Sequence, residues 1–126
     1  MKKKFSVSWK SSRKQSKQRK YRFNAPLHLK QKLAGSHLSK ELRNKYKKRS
    51  IALKKGDKVK VIHGNFKKHE GKVERVELGR TRAFVSGIEY TKKDGTKKMI
   101  ALNPSNLMVV ELNLDDKFRQ KSLERK

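Results

Sequence analysis

Lys54 to Gly87 reads KKGDKVKVIHGNFKKHEGKVERVELGRTRAFVSG. After Gly56-Asp57, the residues Val59, Val61 and Ile62 come in near-alternation with lysine, and Val73, Val76 and Leu78 follow Gly71. A polar loop, His63 to Glu70, separates the two runs. Alternation on both sides of a Gly-bounded loop predicts two short antiparallel strands. Gly71 stands where the chain re-enters a strand, and a residue without Cβ there allows a positive φ or a close backbone approach. Val73 and Val76 break strict parity, which predicts a bulge. The loop carries Asn65, Phe66, Lys67, Lys68 and His69, side chains suited to phosphates and bases more than to a core.

Strand-like patterning continues downstream. Arg82 to Glu89 reads as a strand, and Tyr90 to Leu102 as a hairpin interrupted by Lys93-Asp94-Gly95-Thr96. Asn103-Pro104-Ser105-Asn106 is a loop, and Leu107 to Leu112 a final apolar strand. Five short strands between tight turns predict a mainly β fold, a small barrel, because closure disposes of the edges of so small a sheet. The expected core is Val59, Val61, Val73, Val76, Val85, Ile88, Ile100, Leu107 and Val109. Gly56, Gly71, Asp94 and Gly95 are the structural punctuation. Asn113 to Lys126 reads as a short helix with Asp115 and Asp116 at its start and Arg125 and Lys126 at its end, as the helix dipole favours. Leu114 and Phe118 are expected to face the barrel.

Upstream the composition changes. Residues 1–50 hold 18 basic and 1 acidic side chains, residues 51–126 hold 19 and 10. Residues 1–23 contain ten Lys or Arg and no acid, with Phe5, Val7, Trp9, Tyr21 and Phe23 spaced through them. Such a block buries too little apolar surface to offset its ordering entropy, so it is expected to be a disordered arm that orders on RNA. Its aromatics would then stack on bases or tuck against protein. Asn24-Ala25-Pro26 reads as a helix start, with Leu29 and Leu33 on one face and Gly35 as the stop. A second short helix begins at Ser39, with Leu38, Leu42 and Tyr46 on one side. The division is therefore a basic arm over 1–23, two short helices over 24–50, the barrel over 51–112 and a helical tail over 113–126.

A formal charge of +26 on 126 residues calls for a polyanionic partner, since it opposes a compact free chain by self-repulsion. Hydrophobic content is 33%, enough for one small core. A membrane surface fits poorly, because no long stretch pairs this charge with a continuous apolar helical face. The longest apolar run near the end is Leu107 to Val110, too short for a bilayer, and Lys2-Lys3-Lys4 leads into no apolar signal region. A soluble, intracellular protein is expected. There is no cysteine, which removes disulfides and thiolate metal sites. His63, His69 and Glu70 are near in sequence but lie among lysines that repel a cation, so no metal is expected. No nucleophile–base pair and no phosphate loop is evident, and no cofactor or enzyme activity is expected. Scattered basic residues with aromatics favour folded RNA over the major groove of DNA, which calls for a recognition helix or dimerising coil.

The 54–87 stretch resembles the KOW motif, which transcription elongation factors also carry. FNAPLHLKQKL, HLSKELRNKYKKRS and NPSNLMVVELNLDDKFRQKSLERK extend the likeness over roughly residues 10 to 126. Together they resemble the large-subunit ribosomal protein family numbered twenty-four (twenty-six in the older eukaryotic naming), in its archaeal and eukaryotic form, with an archaeal source expected. The resemblance implies an SH3-like barrel and direct binding to large-subunit rRNA near its 5' end. It also implies a part in starting subunit assembly and a place on the outer surface near the polypeptide exit tunnel. The expected partners are that rRNA, neighbouring ribosomal proteins and factors docking at the exit, with neither membrane insertion nor a homo-oligomer.

Residues expected to contact rRNA are Arg13, Lys14, Lys17, Arg19, Lys20 and Arg22 in the arm, and His28 and Lys30 in the first helix. Lys47, Lys48 and Arg49 follow the second helix, Asn65 to His69 form the KOW loop, and Arg80 and Arg82 flank Thr81. The alternative is a KOW-type elongation factor, which calls for an α/β domain ahead of the barrel where this chain has a lysine-rich arm.

Overall fold

Valines at alternate positions on a lysine-rich strand leave one arrangement that keeps the cations in water. In the computed structural model, which describes residues 4–125, Val59 and Val61 of the strand Lys58–Val61 (β3) are buried. Lys58 and Lys60, on its other face, form cross-strand ion pairs. Lys58 Nζ lies 2.9 Å from Glu111 Oε1 and Lys60 Nζ 2.9 Å from Glu70 Oε1. The hydrogen bond to Glu111 raises the pKa of Lys58, and the hydrogen bond from Lys60 lowers that of Glu70.

Strands Gly35–Leu38 (β1), Ser50–Ala52 (β2), Glu70–Glu77 (β4), Arg82–Val85 (β5) and Leu107–Glu111 (β8) join β3 in a six-stranded mixed sheet of order β2-β1-β8-β3-β4-β5. Glu89–Thr91 (β6) and Lys97–Met99 (β7) form a separate antiparallel ribbon. The helices are Gln15–Asn24 (α1), Leu27–Leu33 (α2), Lys40–Tyr46 (α3) and Lys117–Glu124 (α4), preceded by a 3-10 turn at Val7–Ser11. The architecture is thus mixed α and β rather than mainly β.

Nor does the sheet close into the expected barrel. It bends instead, through β4: Glu70 to Lys72 pair with β3, and Val73 to Glu77 pair with β5. The predicted bulge lies between Val73 and Arg75. On the far side of β5 the only bridge among the described residues is Ala83 to Leu102. The chain from Ser86 to Ala101 is largely used in the ribbon, so no continuous strand is left to seal that edge.

The bend gathers one core, with Leu38, Leu53, Val59, Val61, Val73, Ala83, Val85, Ile88, Leu107 and Val109 buried together. Val76 and Ile100 pack on its margin. Leu38 comes from β1, a strand absent from the sequence reading. Its Gly-Ser-His-Leu sequence contains no β-branched residue, and it is held by pairing with β2 and, in parallel, with β8. Gly71 is a close approach: an added Cβ would sit 2.7 Å from the Ser86 carbonyl oxygen and 2.8 Å from Val85 Cγ1.

Helix boundaries follow local chemistry. Helix α3 starts at Ser39 as expected, and the Ser39 side chain is its N-cap, accepting from the Leu42 N–H. Asn24 is the last residue of α1 rather than the cap of the next helix, and Pro26 immediately precedes α2. Asp94 and Gly95 form the ribbon's turn: Gly95 has φ +81° and Asp94 Oδ1 accepts from the Thr96 N–H and hydroxyl.

The described part of the arm, from Lys4 on, forms a turn and a helix, with Tyr21 buried and Phe5 5.2 Å from its ring. Trp9 meets Phe5 edge-on at 6.5 Å. These three aromatics supply the small nucleus that was expected to be lacking. Phe23, by contrast, is exposed.

The C-terminal helix docks by a face one residue round from the expected one. Phe118 is 84% exposed, while Arg119 and Leu123 are buried. Arg119 Nη1 donates to Asp57 Oδ1 at 2.6 Å and Nη2 to Asp57 Oδ2 at 2.7 Å. The same two nitrogens donate to the carbonyls of Asn113 and Ala52. Asp57 also accepts from the Lys54 and Asn113 N–H groups. A buried carboxylate with four donors outcompetes an aromatic ring for the inward position.

Three tests follow from this packing. Arg119→Met leaves Asp57 buried and half-paired, so urea denaturation should show a loss of roughly 3–5 kcal/mol; a loss within experimental error would sink this account. Gly71→Ala should cost about 1–3 kcal/mol by steric overlap, while Gly79→Ala, with open space around its added Cβ, should be nearly neutral. The Asp116 carboxyl is held below its usual range by the hydrogen bond from Lys54 and then by its cap to the Phe118 N–H. Its folded pKa is the lower one, so its stabilisation is full above the unfolded value and is lost as pH falls through the folded value. Asp116→Asn should therefore lower Tm at neutral pH and have little effect near pH 2.

Candidate nucleic-acid interface

Burial sorts the expected rRNA-binding residues into free and engaged groups. Arg13, Lys14, Lys17, Arg19, Lys20 and Arg22 are all exposed. Helical periodicity places Gln15, Gln18, Arg19 and Arg22 on one side of α1, at i, i+3, i+4 and i+7, with Lys17 and Lys20 on the other. Gln18 Nε2 donates to the Lys10 and Ser12 carbonyls, tying the preceding turn to the helix. The Lys20 ammonium sits 4.8 Å from the Trp9 ring centroid, so part of its surface is already covered.

His28 is exposed on α2. Lys30 is half-buried, and its Nζ donates to the Gly79 carbonyl at 3.0 Å, bracing α2 against the turn between β4 and β5. Lys47 ends α3 in the left-handed region at φ +52°, exposed like Arg49. Lys48 donates to the Ser122 carbonyl and so links the end of α3 to α4.

The loop after β3 folds on itself. Lys67 N–H donates to Gly64 O, His69 N–H to Phe66 O and Lys68 N–H to Val61 O. Asn65, Lys67 and Lys68 point their polar surface to solvent, being exposed. Phe66 is half-buried against the core. His69 is half-buried with Nε2 3.1 Å from the Ser86 carbonyl oxygen, where it helps hold the loop beside β5. Only the outer faces of these two rings are open to a ligand.

Arg80 and Arg82 are exposed at the β4–β5 turn, and Arg80 Nε lies 3.8 Å from Glu77 Oε1. The fold brings both beside Arg22: the three line a cavity of about 310 Å³. No local pattern signals that an arm residue and a strand residue sixty positions apart share a site.

A second feature also escapes the sequence reading. Arg75 lies over the Phe84 ring at 4.4 Å, in an open groove of about 990 Å³ between the bent sheet and the ribbon, with Tyr90, Lys97 and Lys98 also lining it. Strand alternation places Arg75 on the outer face, but its aromatic partner depends on the bulge register.

Among the described residues, no group of three or more His, Asp or Glu could hold a metal ion. No described helix is long and apolar enough to cross a membrane. What remains is a surface of fixed cations and a few partly covered rings, with chemistry for binding a polyanion.

Comparison with known proteins agrees with this surface. Residues 12–126 match the model of a family described as eukaryotic ribosomal proteins L26 together with the archaeal L24 type. A protein of Methanothrix thermoacetophila named large ribosomal subunit protein uL24 is 46% identical over 114 residues, 90% of this chain and 98% of that protein. A protein of the same name from Korarchaeum cryptofilum is 44% identical over 115 residues, 91% of this chain and 88% of that protein. With nearly the whole chain matched in both ways, it belongs to the ribosomal protein family that joins eukaryotic L26 and its archaeal counterpart.

Proposed function

We infer that this chain is a structural, non-catalytic constituent of the cytoplasmic large ribosomal subunit, and that it binds the subunit's rRNA directly. Family membership supports the subunit assignment. The observation that carries direct RNA binding is the division of charge between two jobs. Ion pairs and caps in the sheet region engage acids such as Asp57, Glu70, Glu111 and Asp116, while the arm's basic side chains from Lys4 to Arg22 stay exposed, and residues 1–50 hold a single acid, Glu41. So many unneutralised cations in one segment suit a phosphate backbone.

In this reading the bent sheet is an SH3-like KOW unit, open at its edges, that fixes the position of the arm and the loop. The arm, His28, Lys47, Arg49 and the outer face of the Asn65–His69 loop meet rRNA near its 5' end. Early binding there starts subunit assembly and leaves the protein on the outer surface by the exit tunnel, in contact with neighbouring ribosomal proteins and docking factors. Lys30 and Lys48 serve the fold first, since their ammonium groups already hold backbone carbonyls.

Titration of a 5'-domain rRNA fragment at several salt concentrations tests the reading. If six to ten phosphates are neutralised, affinity should fall roughly 10³–10⁵-fold between 50 and 200 mM salt, on the scale known for duplex DNA. Lys67→Gln with Lys68→Gln should lower the slope of log affinity against log salt by about one for each phosphate left without its lysine. A flat salt response in the unaltered protein would rule out the electrostatic reading.

A further inference from the structure

We propose that Arg13, Arg19, Arg22, Arg80 and Arg82 form one arginine track that grips consecutive backbone phosphates of rRNA by bidentate hydrogen bonds, anchored where α1 meets the β4–β5 turn. This rests on the rRNA-binding reading above and assigns it a specific site. Two neighbouring cavities carry the inference. The first, of about 310 Å³, is lined by Arg22, Arg80 and Arg82 together with Asn103 and Ser105. The second, of about 250 Å³, lies along α1 and is lined by Arg13, Arg19 and Arg22 with Gln15 and Gln18. Arg22 lines both, so its side chain links the two.

The choice of cation is selective. The chain has 27 lysines and 10 arginines. Among the described residues, the basic side chains lining these two cavities are five arginines and no lysine, and no acid lines either. Lys17 and Lys20 project from the opposite side of the same helix. Diffuse attraction to a polyanion needs only charge, which lysine supplies equally well. A planar guanidinium adds a fixed fork of donors that matches two phosphate oxygens, and this is where arginine and lysine stop being interchangeable.

The site is also held in place. Lys30 braces α2 against the Gly79 carbonyl, one residue before Arg80. Thr81, between the two arginines of the β4–β5 turn, lies in the left-handed region at φ +51°. Asn103 Oδ1 accepts from the Ser105 N–H, and no described residue accepts from its NH2, which leaves a neutral donor at the mouth of the anchor cavity. Glu77 competes for Arg80 at 3.8 Å, a long, exposed contact that a phosphate can displace.

The test compares charge-keeping with charge-removing variants of the full-length protein on the same rRNA fragment. Circular dichroism and thermal melts should match the unaltered protein, because these side chains are exposed. Arg22→Lys and Arg82→Lys should each weaken binding roughly 10-fold with the salt slope unchanged. Arg22→Gln and Arg82→Gln should weaken it at least as much and lower the slope. Lys17→Arg and Lys20→Arg should change affinity less than 2-fold. If the Arg→Lys variants bind as tightly as the unaltered protein while that protein shows its steep salt dependence, the track is overturned and the rRNA-binding reading stands. If the unaltered protein itself fails to bind the fragment, both fall together.

Discussion

The buried pair of Asp57 and Arg119 is the constraint on which the arrangement of the second half depends. Asp57 follows Gly56 and immediately precedes β3, and Arg119 lies on the terminal helix 62 positions later. A charge removed from water is tolerated only when its partners replace the lost hydration. Here the carboxylate accepts two guanidinium bonds and two backbone N–H bonds, and the guanidinium holds two carbonyls besides. The backbone is drawn tight at the same place: Gly56 has φ +92°, and a Cβ there would lie 2.7 Å from Asn113 Nδ2. Apolar contact could hold α4 in several rotations. A bidentate ion pair with a single acceptor fixes one.

That arrangement also explains how a chain of charge +26 folds at all. Acids are scarce, 11 against 37 bases, and the described ion pairs place four of them at points where distant segments meet. Glu70 and Glu111 flank β3 from its two neighbours, and Asp116 caps α4 while meeting Lys54. Exposed pairs of this kind contribute little one at a time. Their effect lies in removing like-charge repulsion from the one region that must pack. Among the described residues most of the remaining cations are exposed, while Lys30, Arg43 and Lys48 hold backbone carbonyls.

Much of this was legible in the sequence, and the reason it was legible is local. Alternating valines marked β3, the apolar run from Leu107 marked β8, the parity break at Val73 and Val76 marked the bulge, and Asp94-Gly95 marked the ribbon turn. Failures came where distant residues decide. Strand β1 exists because β2 and β8 offer pairing on both sides. The barrel expected from strand count stays open because β4 divides its partners and the ribbon takes the following segment. Hydrophobicity put Phe118 inward, and Asp57 put Arg119 there instead. In the site, individual cations were visible as candidates, but their sorting was not: Lys30 and Lys48 are struts, and Arg22 meets Arg80 and Arg82 only through the tertiary fold.

Helix α1 shows what a bound polyanion would add to the fold itself. Its first turn contains no acid and its N-terminus has no side-chain cap, while Arg13 and Lys14 stand next to the positive end of the helix dipole. Ten residues with such termini are marginal in isolation. Tyr21, packed with Phe5, holds the preceding turn to this helix, and the brace from Lys30 ties the next helix, α2, to the β4–β5 turn. A phosphate among the arginines on one side of α1 removes the repulsion between them and favours the conformation that brings them together. On the proposed reading, binding and ordering of the arm would be linked through the same cations, so whatever neutralises the arginine face would also stabilise the helix that presents it.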